Sequence, residues 1–171
     1  MLNLVTERGF HDAPISLLTQ RSGASAGVVY HYFASKEEII RALYERIRIL
    51  KTEALLGDFA PDQDPRECFI DGCLNLYQFY RKHKREMRFY EQYEHAGFAC
   101  SPEASPDERV AAFAVRYSSR SNGGVLNEWP TVVLEEMTLG VISRLASHER
   151  KLPKVVLREI VEGIWDMVKA K

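Results

Sequence analysis

The chain has 171 residues, of which 46% are hydrophobic and 27% charged, and its formal net charge is −1 at pH 7. This composition is ordinary for a folded globular protein and excludes a disordered chain. No apolar run approaches the roughly 18 residues of a membrane span, and the first residues do not form a signal peptide, so we predict a cytoplasmic protein.

Two short helices open the chain. The first is predicted over residues 1–8, where Gly9 ends it. The second is predicted over residues 15–22 and is followed by Gly23, the residue type that most often ends a helix in the left-handed conformation.

A third helix follows at once and is very short. Ser25 can cap its start, and the helix is predicted to end near Phe33. Ser35 and Glu38 then form a capping box that opens a long fourth helix, over about residues 36–56. Two helices joined by a tight glycine-containing turn form a helix-turn-helix, whose second helix lies in the DNA major groove.

Specific residues of this region form a family signature. They are Gly23, Ser25 and Gly27, together with residues 7–11 (Glu-Arg-Gly-Phe-His), 28–33 (Val-Val-Tyr-His-Tyr-Phe) and 35–38 (Ser-Lys-Glu-Glu). The first fifty residues thereby resemble the DNA-binding domain of the TetR/AcrR (tetracycline-repressor) family. The resemblance implies an all-α fold, with a three-helix helix-turn-helix head at residues 1–50 and a helical effector-binding and dimerisation body at residues 51–171.

The resemblance also implies which residues contact DNA. Family members use the start of the second helix, the recognition helix and the start of the fourth helix. The corresponding positions here are Ser16, Ser25, Ala26, Gly27, Val28, Tyr30, His31, Tyr32 and Lys36.

Several positions depart from the common family pattern. Ala13 and Pro14 stand where Ser or Thr often caps the second helix, Ala26 replaces a frequent Lys, and Val28 replaces a frequent Thr. Residues 26–32 contain no Lys or Arg to bind guanine bidentately, which leaves apolar contact with thymine methyl groups by Ala26 or Val28.

Each aromatic residue of the third helix also has a purely structural interpretation. Tyr30 and Tyr32 fit packing as well as DNA contact, and Val29 is predicted to pack inward. We favour DNA contact for Tyr30 and Lys36, whereas His31 fits either role.

The head carries only a small positive excess, with seven Lys or Arg against five acids in residues 1–51. Relative to the family, about half of the first helix and any basic arm before it are missing. A mis-assigned start, an artificial truncation and a natural shortening explain this equally well. We therefore expect weak DNA binding, which upstream residues would strengthen together with its salt dependence.

Five more helices are predicted after a break at residues 57–65. Their ranges are about 66–83, 85–96 and 105–121, with a capping box at Ser105 and Glu108, and two last helices, eight and nine, that open at Pro130 and Pro153. No strand pattern or internal repeat competes with this all-α interpretation.

Aromatic residues are concentrated in the body, where ten of the chain's 18 lie between residues 69 and 117. Any one of them fits an ordinary core, but so many tyrosines are less typical of a core, because each buried hydroxyl needs a partner. With the resemblance, this predicts a largely apolar pocket for an aromatic or amphipathic small molecule. The candidates for its lining are Phe69, Tyr77, Tyr80, Phe89, Tyr90, Tyr93, Phe113 and Tyr117.

Other classes of function are less well supported. An enzyme would need His83, Glu91, His95 and Cys100 to converge, but no nucleophile-base or metal-ligand spacing is present, so we predict no catalytic residue, metal or cofactor. A helical ligand-binding or interaction protein, with DNA binding impaired by a truncated first helix, is the alternative. Buried reduced thiols are predicted for Cys68, Cys73 and Cys100, with an exposed, redox-active Cys100 as the minority interpretation.

We predict a homodimer through helices eight and nine, because both carry apolar residues on more than one face. Its operator would be near-palindromic, with half-sites in successive major grooves. The resemblance implies that helix six abuts helix four, so a ligand that displaces helix six would tilt helix four and change the spacing of the two recognition helices. The resemblance also implies a repressor whose operator binding is relieved by a small molecule.

Overall fold

Helices form the regular elements of this chain. A computed structural model describes residues 1–60, 62–97 and 108–171. Apart from two isolated β-bridges, the regular elements of these residues are helical, which confirms the all-α prediction. The α-helices are α1 (Leu2–Arg8), α2 (Ile15–Ser22), α3 (Ala26–Tyr32), α4 (Lys36–Leu56), α5 (Pro65–Lys82), α6 (Lys84–His95), α7 (Glu108–Arg116), α8 (Thr131–Glu135), α9 (Val141–Ser147) and α10 (Lys154–Val168).

The predicted caps of the first four helices are present. Gly9 and Gly23 end α1 and α2 with φ angles of 82° and 71°, which residues other than glycine rarely adopt. The Ser35 hydroxyl oxygen accepts a hydrogen bond from the Glu38 amide at 3.2 Å. In a usual capping box the Glu38 carboxylate would accept from the amide of the N-cap residue, Ser35. Here it accepts from the amide of Ala34, one residue earlier.

The predicted end of the seventh helix near Ser121 is wrong, because α7 ends at Arg116. From there the chain turns back on itself. The Val125 amide donates to the Arg116 carbonyl at 3.0 Å, and the Leu126 amide donates to the Ser118 carbonyl at 3.1 Å. These bonds satisfy the carbonyls that a longer helix would have used.

The eighth predicted helix is divided into three parts. α8 passes into a π-helical turn, Glu136–Gly140, and the chain then continues as α9. The buried side chains of this segment recur every four residues, at Leu134, Thr138, Ile142 and Ala146. A straight α-helix repeats every 3.6 residues, so the wider π turn keeps these four side chains on one side.

The cysteine prediction is confirmed for the two cysteines that the structure describes. Cys68 and Cys73 are buried free thiols. Burial raises the pKa of Cys73 to about 12, which keeps its thiol protonated at neutral pH. Cys100 and the Ser105 end of the predicted capping box lie outside the described residues.

Contacts divide the chain into two units. The N-terminal unit comprises Met1–Leu50 and His83–Cys100, and the C-terminal unit comprises Lys51–Lys82 and Ser101–Lys171. By this division α6 groups with the first three helices and the first part of α4, and not with α5.

The core of the N-terminal unit joins α1, α4 and α6. Its buried side chains are Leu4, Val5, Ala13, Ile40, Tyr44, Ile47, Phe89 and Tyr93. Phe10, between α1 and α2, packs its ring edge against Phe89 at a centroid distance of 5.6 Å. An exposed ion pair between Arg21 and Glu7, at 2.9 Å, also ties α2 to α1.

The C-terminal unit is built around α5, which packs against α9 and α10. A second group of buried side chains, Leu56, Phe59 and Cys68, is covered by Phe113 of α7 and by Tyr117 just after it. Gly72 of α5 permits a close approach here, since a β-carbon at this position would lie 3.1 Å from the Leu55 carbonyl oxygen. The unit therefore positions α7 and the segment that follows it.

Candidate nucleic-acid interface and ligand cavity

The third helix is short and capped as predicted. The Ser25 hydroxyl oxygen accepts a hydrogen bond from the Val28 amide at 3.2 Å, and the Phe33 amide donates to the Val29 carbonyl at 3.0 Å. Val29 and Phe33 are half-buried, and α3 packs against α2. Tertiary packing thus supports a helix of seven residues, which could not persist alone.

The remaining side chains of α3 face solvent. Val28, Tyr30 and Tyr32 are 51%, 54% and 71% exposed, which is unusual for large apolar and aromatic side chains in a small unit. The other residues predicted to contact DNA in or before this helix are also exposed, and they are Ser16, Ser25, Ala26, Gly27 and His31. The structure therefore brings eight of the nine predicted contacts to the surface of the N-terminal unit.

Lys36, the ninth, is half-buried at the start of α4. Its ammonium group donates to the His11 carbonyl oxygen at 3.2 Å, which fixes the side chain against the segment before α2. An ammonium group has three hydrogens, so two remain for a phosphate oxygen. Pro14 stands at the N-cap of α2 without a side-chain cap, and Ala13 beside it is fully buried.

Three of the aromatic residues predicted for the pocket pack inside the N-terminal unit. The Tyr44 ring of α4 stacks on Tyr93 and Tyr90 of α6, at centroid distances of 4.1 and 5.0 Å, and Phe89 joins the same core. The Tyr44 hydroxyl donates to the Glu94 carboxylate. This stack connects α4 to α6.

A separate cavity of about 300 Å³ lies in the C-terminal unit. Phe69, Phe113 and Tyr117, three of the predicted lining residues, belong to its wall. The other side chains are contributed by α4, α5, α7, the segment after α7, and α8 with its π turn. They are Leu55, Cys73, Ala114, Ser118, Ser119, Asn122, Leu126, Trp129, Thr131, Leu134, Glu135, Thr138 and Leu139.

Tyr77 and Tyr80 are buried in α5 away from this cavity wall. The Tyr77 hydroxyl accepts a hydrogen bond from the Leu152 amide at 3.1 Å, so its polar atom is satisfied by the segment before α10. Trp129 and Asn122 were not predicted as lining residues, because nothing in their local pattern indicates that the segment after α7 folds over a cavity. For α8 and its π turn, the sequence did contain a signal: Leu134 and Thr138 are four residues apart, which indicates that both face the same side of a helix.

Neither a metal site nor a membrane-spanning helix is present in the part of the chain that the structure describes. Its residues contain no group of three or more His, Cys, Asp or Glu placed to hold a metal ion. None of the described helices has the length and apolar composition needed to cross a membrane.

The fold and the exposed recognition helix define a helix-turn-helix regulator of transcription. Residues 2–43 match the family model of bacterial regulatory proteins, tetR family. Within this range the chain is therefore similar to bacterial regulatory proteins of the tetR family.

Two curated proteins show the same similarity. The HTH-type transcriptional regulator YdgC of Bacillus subtilis (strain 168) is 25% identical over 150 residues, which cover 84% of this chain and 73% of that protein. The HTH-type transcriptional regulator BetI of Klebsiella pneumoniae (strain 342) is 34% identical over 56 residues, which are 33% of this chain and only 29% of BetI.

Solved structures share the fold over nearly the whole chain. A TetR family transcription regulator from Marinobacter aquaeolei VT8 superposes with a TM-score of 0.81 at 19% identity, covering 99% of this chain and 92% of that one. A TetR-family transcriptional regulator from Haemophilus influenzae RD gives a TM-score of 0.74 at 19% identity, with 99% and 92% coverage.

Proposed function

We propose that this protein is a homodimeric repressor that acts in the cytoplasm and is released from its operator by a small apolar or aromatic effector. The observation that carries the proposal is the largely apolar cavity of about 300 Å³ in a chain whose N-terminal part is a tetR-family DNA-binding domain. A concave, largely apolar site of this size suits a small ligand, and a ligand that changes DNA affinity is an allosteric effector.

Exposed apolar side chains support the proposed dimer. Helices eight and nine of the sequence correspond to α8–α9 and α10. On α10, Val156, Gly163 and Met167 are exposed and share one face with the half-buried Ile160. A second copy would cover this face through a symmetric interface, which places two recognition helices on a near-palindromic operator.

We propose that α4 couples the two sites. Lys36 is its first residue, and Leu55, near its other end, lines the cavity. α6 would follow any movement of α4 through the stack of Tyr44 on Tyr90 and Tyr93. A ligand that displaces Leu55 would then change the position of Lys36 and the spacing of the two α3 helices.

The test has two stages. Sites selected from a random DNA library should be near-palindromic and should shift in a gel with the purified protein. Failure to select any site would favour the alternative, a helical ligand-binding or interaction protein. Effector affinity, measured next with and without the operator, should fall by the same factor by which the effector weakens DNA binding. Equal effector affinities would remove allostery.

A further inference from the structure

We infer that the effector carries a positive charge on an aromatic or apolar body. This inference rests on the proposed effector role of the cavity and specifies the chemistry of the ligand. Among the described residues of the cavity wall there is one carboxylate, Glu135, and no Lys or Arg.

Burial divides the cavity wall into two parts. Phe69, Cys73 and Leu134 are each less than a tenth exposed and form the inner part. Trp129 and Glu135 are exposed and belong to the open part, together with the exposed residues Ala114, Asn122 and Thr131. The cavity is thus apolar inside and negatively charged at its opening, which matches a ligand with an apolar body and a cationic end.

Three of the five hydroxyl groups in the described wall, those of Tyr117, Ser118 and Thr138, offer acceptors and no free hydrogen. Thr138 donates to the Leu134 carbonyl at 2.7 Å, Ser118 donates to the Val115 carbonyl at 2.7 Å, and Tyr117 donates to the Pro65 carbonyl at 2.8 Å. Each of these hydrogens is already used inside the protein, whereas the oxygen lone pairs remain. A ligand that donates hydrogen bonds or carries positive charge fits such a wall better than an anion does.

Among the described residues, the Glu135 carboxylate has no ion-pair or hydrogen-bond partner, and only the backbone carbonyl of this residue accepts a hydrogen bond, from the Thr138 hydroxyl at 3.3 Å. Arg116 and Arg120, which flank part of the wall segment after α7, are directed elsewhere. The Arg116 guanidinium donates to the carbonyls of Ala60 and Gln63, and that of Arg120 donates to the Lys171 carbonyl at 2.8 Å. A bound cation would therefore meet Glu135 without competition from these side chains.

The aromatic rings add a second attraction for a cation. Phe69, Phe113, Tyr117 and Trp129 belong to the wall. Ring faces attract cations electrostatically, most strongly in the case of Trp, and a carboxylate strengthens the same preference. Trp129 and Glu135 are both at the open part, so they would contact the charged end while the inner rings contact the body.

The test compares two probes of the same shape. Phenyltrimethylammonium and tert-butylbenzene differ in charge but hardly in size, and benzenesulfonate supplies an anion. Binding is measured by calorimetry and by the fluorescence change of the full-length protein, and a Trp129→Phe variant assigns the signal to the cavity. We expect the cation to bind about tenfold more tightly than tert-butylbenzene, the anion to bind most weakly, and the cation's advantage to decrease with added salt.

Neighbouring carboxylates provide matched variants. Glu135→Gln should weaken phenyltrimethylammonium binding about tenfold and leave tert-butylbenzene binding unchanged. Glu136→Gln removes the same charge from the next residue, which is not part of the cavity wall, and should change the binding of neither probe. Circular dichroism of both variants checks that they remain folded.

The outcomes separate this inference from the function on which it depends. Equal binding of the cation and the neutral probe, or equal effects of the two substitutions, would overturn the inference and leave the cavity as an effector site. Binding of no probe at the cavity would overturn both the inference and the effector role, while DNA binding is measured independently in the gel shift.

Discussion

Single residues decide how the recognition helix can contact DNA. Its exposed side chains are aromatic, apolar or small, and residues 26–32 contain no Lys or Arg. A base contact from this helix would therefore come from tyrosine, histidine or serine hydrogen bonds and from apolar contact with thymine methyl groups. Lys36, held by the His11 carbonyl, would contact phosphate and set the orientation.

Tyr30 separates DNA binding from stability. Its side chain is 54% exposed, so Tyr30→Ala should change the free energy of unfolding by no more than about 0.5 kcal/mol but weaken operator binding about tenfold. Val29→Ala, at the half-buried neighbouring position, should lower stability by about 1 kcal/mol instead. Denaturant titration and a gel shift measure the two effects. An unchanged operator affinity in Tyr30→Ala would exclude Tyr30 from the interface.

Gly124 controls the segment that covers the cavity. A β-carbon at this position would overlap the carbonyl oxygen of Ser118, a backbone atom that cannot move aside by changing rotamer. Gly124→Ala should therefore cost about 1–3 kcal/mol of stability and weaken probe binding at the cavity. Gly123, which has a φ of 81° and open space within 4 Å of where a β-carbon would lie, is the control. Gly123→Ala should lower the free energy of unfolding by about 1 kcal/mol, through backbone strain alone, and should leave probe binding at the cavity unchanged.

At the scale of elements, the C-terminal unit depends on α5. The end of this helix is joined to the segment after α9 by Arg81, whose guanidinium donates to the carbonyls of Ala146, His148 and Glu149. These carbonyls belong to the end of α9 and the residues beyond it, where backbone acceptors lack helical partners. One side chain thus ends α9 and orients the chain toward α10.

Replacing Arg81 tests this connection. Arg81→Met keeps an unbranched apolar stem but removes the donors, so it should lower the free energy of unfolding by about 1–3 kcal/mol. Lys82→Met, at the exposed next position of the same helix, is the matched control and should change it by less than about 0.5 kcal/mol. The comparison requires chemical denaturation of both variants, and equal midpoints would show that the three carbonyl contacts contribute nothing net.

At the scale of the whole molecule, one chain contains a recognition helix in its N-terminal unit and a cavity in its C-terminal unit. A single recognition helix makes few base contacts, and a second copy doubles them on a symmetric operator. Dimerisation is therefore expected to be a condition for specific DNA binding. The exposed face of α10 is the proposed dimer interface, so this expectation can be tested by changing that face.

Charges on that face should separate the subunits. The double substitution Val156→Glu and Met167→Glu places four carboxylates in the proposed symmetric interface, so sedimentation should show a monomer and operator affinity should fall at least tenfold. Val115 of α7 is also an exposed valine, at 58%, but lies outside α8 to α10. Val115→Glu should remain a dimer. A double variant that is still dimeric would place the interface elsewhere.

Local signals in the amino-acid sequence were sufficient to predict the first helices of this protein. Caps and glycine stops act within one or two turns of a helix, which is why residues 36–56 could be assigned to α4 from Ser35, Glu38 and Gly57. The recognition helix and the resemblance to the tetR family followed from the same short-range signals.

The division of the aromatic residues between a core and a cavity wall could be established only from the folded chain. Phe89 and Tyr93 pack with Tyr44, far away in sequence, whereas Phe69 and Tyr117 line the cavity with Trp129. The end of α7 depends in the same way on backbone hydrogen bonds to a segment that returns later in the chain. Local sequence does not specify such contacts, because the surroundings of a side chain depend on residues that only folding brings together.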